Sequence, residues 1–350
     1  METFPPPLYD DDEYIYKSTE GVYVPLTFKD YIENLALSYN TVWTIGCPYK
    51  CIYCGNSRFI ENDSNYRKIR HPSVNYIIHE AKEVLKKHPH ISFFTFHDDS
   101  FISLPLDLLE EFAEKWKSKI SKPFSIQGVI PAYVKEDKLK VLLTAGMNRV
   151  RMGIQSGSSR ILKFYKRPDK PGLSLKATSI IASFSDYMIP PAYDIIVDNP
   201  IETKQDVIDT LDLLYNIKRP YTLNVYALKV IPNTEMEREF VKRNIDFGCI
   251  SENYVKTSKT LSNALIYILA TFKIPNFVYL FLLQYVMPAS AKQRRFPIFI
   301  FFCRSLYLGK RFIDHMRFMD FSVVMGKVGY ILWKFGILDY YEKGKKKYKP

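Results

Sequence analysis

The stretch TVWTIGCPYKCIYCGNSRF, residues 41–59, joins two patterns. Its first part, TVWTIG (41–46), is a short apolar run closed by glycine, which reads as a β-strand turning into a loop. Its second part packs Cys47, Cys51 and Cys54 into eight residues of a chain that holds only five cysteines. A disulfide uses two thiols, and a closed structural zinc site takes four ligands. Three thiols at C-x3-C-x2-C therefore suit neither.

Outward from this stretch, short apolar runs alternate with amphipathic ones at intervals of about thirty residues, the length of a βα unit. The predicted strands are 41–46, ISFFTF (91–96), FSIQGVI (124–130), RVRMGIQ (149–155), YDIIV (193–197) and TLNVYALKVI (222–231). Predicted helices between them include 73–88, 105–120 and 203–218. The second opens on Pro105, with acids early and lysines late, which suits the helix dipole. Six βα units in series imply a parallel sheet with helices outside, as an open sheet or a full or partial barrel. In each case chemistry is expected at the C-terminal strand ends, where the cysteines fall.

The 350 residues, 47% of them hydrophobic, are enough for a sizeable core. The rhythm divides the chain into a Pro-, Asp- and Tyr-rich lead-in (1–39), the βα core (40–235) and a basic, apolar helical region (236–350). The net charge of +12 is confined to the end: residues 251–350 hold 17 Lys and Arg against five Asp and Glu, while the first 250 balance at 32 each. That pattern suggests an appended basic segment, and no nucleic-acid partner is expected. The N-terminus lacks a signal-peptide pattern and the cysteine count is odd, so a reducing, cytoplasmic setting is expected.

The C-terminal region has two readings. SNALIYILATFKIPNFVYLFLLQYVMP (262–288) is apolar but broken by Lys273 and Pro275, which leaves too short a run to span a bilayer. RRFPIFIFFCRSLYLGKRF (294–312) alternates aromatic and basic residues, and the chain closes on EKGKKKYKP. One reading is a helical subdomain with a solvated lysine tail. The other is a membrane-surface patch, with a protein peripheral to the membrane and a lipid-like substrate.

Soft thiolate ligands favour iron–sulfur or zinc, and three of them can hold three corners of an iron–sulfur cube. One iron then keeps an open position. Candidates for a fourth ligand are Cys249, Cys303, His71 and His97, although the two cysteines also read as buried small apolar residues. His88 and His90 end a helix, which accounts for them without a metal. There is no Walker loop, H-E-x-x-H or G-x-S-x-G, which removes the basis for phosphoryl-transfer, metalloprotease or α/β-hydrolase readings.

CPYKCIYC resembles the signature of the radical S-adenosylmethionine (SAM) enzymes, three cysteines at this spacing with an aromatic before the third. The resemblance covers roughly residues 40–235. It implies a partial (β/α)6 TIM-like barrel, α/β in class, with a helical C-terminal extension. It also implies a 4Fe-4S cluster on Cys47, Cys51 and Cys54, with SAM chelated to the open iron and cleaved reductively to start radical chemistry. The implied partners are a small-molecule substrate and a reductant such as ferredoxin or flavodoxin. Further stretches carry the likeness. FHDDSF (96–101) follows the second strand, and Asp98 and Asp99 there suit the SAM amino group, though they also read as a helix N-cap pair. In RMGIQSGSSRILKFYKR (151–167), Gln155 and Ser156 would sit beside the SAM ribose and carboxylate, and Gly153 and Gly157 would let the backbone approach. Arg151 or Arg167 would pair the SAM carboxylate. Tyr53 is the aromatic candidate for adenine, and Asp194 lies in YDIIVDNPIET (193–203), a segment similar to the one that packs near adenine. Asp198, Asn199 and Asn233 stand where that family often has glycine turns. Gln127, on the third strand, is a further candidate contact.

The set FHDDSF, GIQSGS and DIIVDNPIET is most similar to the branch that usually carries an N-terminal cobalamin-binding domain. Here about forty residues precede the first strand, without a βαβ run or an Asp-x-His-x-x-Gly signature, which leaves a lost domain, a domain on a separate chain or a truncated start as explanations, with cobalamin possible but not supported by this chain. Alternatives are a cobalamin-dependent methyltransferase working with a separate cobalamin-binding chain, and a non-catalytic iron–sulfur protein on the same fold.

Overall fold

The structure is a computed structural model that describes residues 13–17, 20–27, 38–89, 91–168, 170–248, 255–291, 295–317, 331 and 334–337. Cys249, His90 and the terminal lysine run lie outside the described residues. The lead-in contains an antiparallel hairpin of β1 (Tyr14–Lys17) and β2 (Val22–Pro25).

Six parallel strands follow: β3 (Ser38–Thr41), β4 (Phe93–Phe96), β5 (Phe124–Val129), β6 (Met147–Gln155), β7 (Ala192–Val197) and β8 (Thr222–Ala227). They pair strictly in chain order, with β3 and β8 as edges. A right-handed crossover repeated without reversal puts every connecting helix on one face of the sheet. The sheet is thus singly wound and open, the arrangement of a partial barrel, with its other face left as an interior.

The helices are α1 (Asn56–Asn62), α2 (Val74–Lys87), α3 (Leu106–Lys119), α4 (Glu136–Ala145), α5 (Ser159–Phe164), α6 (Pro171–Ala182), α7 (Lys204–Asn216), α8 (Glu235–Lys242), α9 (Leu261–Thr271), α10 (Asn276–Leu283) and α11 (Pro297–Arg317). Predicted helices 73–88, 105–120 and 203–218 become α2, α3 and α7, each trimmed by one or two residues at its ends. Helix α3 is preceded by Pro105, with Asp107 in its first turn and Lys117 and Lys119 in its last. His88 closes α2 at its C-terminus.

Alternation along the strands sets what faces where. On β6, Val150, Met152 and Ile154 are fully buried against the helices. Arg149, Arg151, Gly153 and Gln155 alternate with them and are half-buried on the interior face. Asp194 on β7 and Asn224 and Tyr226 on β8 continue that polar face. Between β3, β4, β5 and α3 lies an aromatic core in which Trp43, Phe96, Phe101, Phe112, Trp116 and Phe124 meet with ring centroids 5.0–5.7 Å apart.

The first strand is displaced from its predicted place. Strand β3 ends at Thr41, and residues 42–46 are irregular apart from a bridge between Ile45 and Arg70. The apolar run is apolar because Trp43 enters the aromatic core, stacked on Phe112 at 5.0 Å. The backbone N–H groups of Trp43 and Thr44 donate to the buried Asp98 carboxylate, at 3.3 and 2.5 Å, instead of to a strand.

The C-terminal helices belong to the same hydrophobic core. Ala264, Leu265, Ile266, Leu269 and Ala270 of α9 and Ile300, Cys303 and Tyr307 of α11 are buried in it. Arg219, before β8, donates to carbonyls of Leu269, Ala270 and Phe272 at the end of α9, where a cation suits both the free carbonyls and the dipole. Tyr307 closes part of the β8 edge. Its hydroxyl accepts from Leu223 N at 2.8 Å and donates to Leu223 O at 2.7 Å.

Candidate active site

Cys47, Cys51 and Cys54 lie in the loop between β3 and α1, at the C-terminal end of the sheet. Ile52, between them, fixes this loop. Ile52 N donates to Tyr165 O at 3.1 Å, and Met236 N donates to Ile52 O at 3.3 Å. Its side chain is buried with Ile161, Tyr165, Val230, Met236 and Phe240 in a second apolar cluster. Arg167 holds the loop from the opposite wall. It donates to Gly153 O at 2.7 Å and to Tyr53 Oη at 3.4 Å, and its guanidinium lies 5.5 Å from the Tyr49 ring centre. The Tyr53 ring packs edge-on against Tyr165 at 4.9 Å.

A cavity of about 220 Å³ opens here, lined by the three cysteines together with Tyr53, Asp98, Asp99, Gln155 and Asp194. Eight of the nine site residues expected from sequence thus meet in one space. Ser156 is the exception. It is buried, its hydroxyl is 3.2 Å from Thr210 Oγ1, and it accepts from Ser158 N at 3.1 Å, so it faces α7. Gly157 has the same orientation: a Cβ there would lie 2.3 Å from Asp209 O, so its glycine serves the packing of the β6–α5 turn on α7.

The cavity's carboxylates differ in what holds them. Asp98 is 2% exposed and supports the Trp43–Thr44 backbone, and burial pushes it up to about 6 against those hydrogen bonds. Asp99 accepts from Asn56 Nδ2 at 2.7 Å and from Tyr66 Oη at 2.9 Å. Neither caps α3, whose N-cap position is Pro105. Asp194 accepts from Arg151 Nε at 2.9 and 3.0 Å and from Asn224 Nδ2 at 2.8 Å. Arg151 also donates to Gln127 Oε1 at 3.0 Å and to Tyr226 Oη at 2.8 Å, so this arginine is committed to the interior wall. Asp198 and Asn233 both adopt positive φ, +59° and +66°, which accounts for the likeness of their positions to glycine turns. Asp198 further accepts from Ser258 N and Asn263 Nδ2, tying the strand end to the C-terminal region.

The donor set fits a polynuclear iron–sulfur cluster. Three soft thiol donors from one loop wall a single cavity. Burial pushes the Cys47 thiol up to about 12 and the Cys54 thiol up to about 11, with the neighbouring cysteines adding to it. The site thus favours neutral sulfur until a cation joins it. Of the fourth-ligand candidates, Cys303 is buried on α11, His71 contacts Pro72 O and His97 contacts Asn40 Oδ1; none of the three lines the cavity.

Sequence reasoning missed the residues that hold the loop rather than face the cavity, Ile52, Tyr165, Asn56 and Tyr66. It also missed Gly128, whose φ is +63° and where a Cβ would lie 2.0 Å from Asp98 O. Only that glycine, interrupting a strand pattern, was a readable signal.

Residues 41–214 match the family model described as the Radical SAM superfamily. Those residues carry the Radical SAM superfamily domain, with an α/β fold built on a six-stranded parallel sheet. Solved structures align with it at low identity. The cobalamin-dependent S-adenosylmethionine radical enzyme OxsB, with aqua-cobalamin and S-adenosylmethionine bound, aligns at 14% identity over 95% of this chain and 56% of that one, TM-score 0.53. OxsB with aqua-cobalamin alone gives 15% identity, 96% and 57% coverage and a TM-score of 0.52. The radical S-adenosylmethionine methyltransferase TsrM from Kitasatospora setae, with tryptophan substrate and a SAM analog, gives 16%, 59%, 39% and 0.49. The chain therefore spans between 39% and 57% of the length of these structures. No curated protein matches its sequence.

Proposed function

We propose that this chain binds a 4Fe-4S cluster through Cys47, Cys51 and Cys54 and binds SAM beside it, to start radical chemistry on a small molecule held inside the sheet. The observation that carries this reading is the single cavity shared by the three cysteines, Tyr53, Asp99, Gln155 and Asp194. When bound, the cluster supplies the electron that cleaves SAM to methionine and a 5′-deoxyadenosyl radical. Tyr53 offers an aromatic face for adenine, held by Tyr165 and Arg167. Asp99, oriented by Asn56 and Tyr66, offers carboxylate oxygens to an ammonium group. Gln155 offers an amide to the ribose or carboxylate. Asp98 acts one step back, by fixing the loop that leads to the cysteines. A reductant of the ferredoxin or flavodoxin type would first supply that electron to the cluster.

Anaerobic reconstitution with iron and sulfide should give a 4Fe-4S absorption spectrum, and reduction with SAM should yield 5′-deoxyadenosine. Undiminished deoxyadenosine from Cys51→Ala would sink the reading. A cluster whose spectrum ignores SAM would favour the non-catalytic iron–sulfur alternative. The likeness of fold to OxsB keeps a cobalamin-dependent reaction as a second reading, with cobalamin supplied from outside the described residues. Absence of cobalamin binding, alone or with a partner chain, would remove it.

The C-terminal region supports contact with an anionic lipid surface. No described helix is long and apolar enough to cross a membrane. Helix α11 nonetheless presents Ile298, Phe301, Phe302, Leu308 and Phe312 outward, with Ile298 83% and Phe301 73% exposed. Phe277 on α10 is 74% exposed. Arg295 and Arg304 are exposed on and beside the same helix, within the stretch that carries the charge excess. Ile298→Glu/Phe301→Glu should abolish flotation with anionic vesicles. Failure of the native protein to float, or concentration-dependent dimerisation through this face, would assign it to another occupant.

A further inference from the structure

The cysteine loop has an inner side, which lines the cavity, and an outer side, which carries charge. Residues 47–70 hold five Lys and Arg against two Asp and Glu, within a front portion of the chain whose charges otherwise balance. Lys50 stands in the loop itself, between Cys47 and Cys51. Arg58 is on α1, where Ser57 N donates to Cys54 O at 3.1 Å. Arg67 donates Nη2–H to Pro48 O at 3.4 Å, and the carbonyl of Tyr66 before it accepts from Cys47 N at 3.0 Å. Arg238 is on α8, whose Met236 N donates to Ile52 O. Four cations thus stand on the cysteine loop or next to residues bonded to it. None of the four lines the cavity.

One acid gathers three of them. Glu61 accepts from Arg58 Nη1 at 2.9 Å and from Arg238 Nη2 at 2.8 Å, and lies 3.5 Å from Lys50 Nζ. A carboxylate shared by three cations leaves the group positive. The Arg58 and Arg238 side chains are 47% and 51% exposed, so that charge is displayed to solvent. Phe59, beside Arg58, is 54% exposed, with its ring 5.2 Å from that of Tyr66. An exposed aromatic flanked by arginines matches the composition enriched at protein interfaces.

The functional reading above requires one electron from outside for each SAM cleaved. It places SAM and substrate on the inner side of the cysteines, so the electron enters from the outer side. Electron transfer falls off steeply with distance, which favours a donor seated where the loop itself reaches solvent. We propose that Lys50, Arg58, Arg67 and Arg238, around Phe59, form the docking surface for an acidic one-electron carrier protein that reduces the cluster. This rests on that functional reading and adds where the carrier binds and what charge it presents. The carrier is oxidised by one electron and the cluster is reduced by one, with no bond made or broken. Complementary charge steers such an encounter, and redox encounters use small, transient interfaces.

The test titrates the reconstituted protein and the cluster-free chain with oxidised flavodoxin and with oxidised ferredoxin, both acidic, by calorimetry. Binding is thereby read apart from SAM cleavage. At least one carrier should bind saturably, and more weakly as salt rises from roughly 50 to 300 mM. Arg58→Glu/Arg238→Glu should weaken binding at least about tenfold and slow cluster reduction by the carrier to match. Its reduction by dithionite should stay close to the native rate, because a small reductant needs no docking surface. Lys82→Glu/Lys86→Glu, exposed in the last turns of α2 at the opposite end of the sheet, should bind as the native protein does. Phe59→Ala, which trims an exposed ring, should also weaken binding and decides the matter if the charge-reversed protein does not fold. The proposal is overturned if neither carrier binds, or if Arg58→Glu/Arg238→Glu or Phe59→Ala binds as the native protein does. Carrier binding by a protein that assembles no cluster would instead overturn the functional reading.

Discussion

At the scale of single residues, the site is built from side chains that spend their polarity on the backbone. Asp98 is the clearest instance, a carboxylate on the cavity wall that accepts from the backbone of Trp43 and Thr44. Glu202, 7% exposed in the β7–α7 loop, is another. Burial pushes it up to about 8 from 4.5, helped by Asp206 and Asp198 and opposed by Asn199 N–H and Arg160. A carboxyl raised on folding contributes stability that is full below its unfolded value and is lost as pH rises to the folded one. Relative to Glu202→Gln, the native protein should therefore lose roughly 3 kcal/mol between pH 4.5 and pH 7, and more toward pH 8. Melting temperatures at pH 5 and pH 8 check this, and an equal gap at both would refute it. Gly128→Ala should yield little folded protein, since a Cβ would collide with Asp98 O at a left-handed backbone position. Circular dichroism and recovery of soluble protein measure it.

At the scale of elements, the cysteine loop is short of regular structure and is held by a few contacts. Ile52→Ala should cost about 2–5 kcal/mol and lower iron retained after gel filtration, because the loop loses its anchor on Tyr165, Met236 and Phe240. Unfolding by denaturant measures the first effect, and unchanged iron content would disprove the second. This scale also shows what was legible in the sequence. Five of six strands lie within a few residues of where the short apolar runs put them, because β4 to β8 bury one face against helices. The first did not, because apolarity alone does not distinguish a strand from a loop whose tryptophan is in the core. The cysteine triad was readable because its chemistry is local. Ser156 was not, because a one-residue step along a strand reverses the face it joins.

At the scale of the whole molecule, the charge asymmetry suggested an appended segment, and composition gave no hint that α9 and α11 would complete the core. The contacts are made by apolar side chains whose partners lie far away in sequence, and a charge count is blind to them. A chain shortened to end near Glu235 should therefore be insoluble, since it would uncover Tyr221, Leu223 and Val225 at β8. Expression followed by size-exclusion chromatography tests this. A shortened protein that behaved as a monodisperse monomer would show the helices to be dispensable.

The bond from Tyr307 to both backbone groups of Leu223 links positions 84 residues apart. On a ribosome adding about 5–20 residues per second, the last strand would wait roughly 4–17 s for the hydroxyl that covers it. Throughout that interval a nascent chain presents an unpaired strand edge to its neighbours on the same messenger. Slower initiation, which spaces the ribosomes, should therefore raise the soluble yield more than slower elongation, which lengthens the wait.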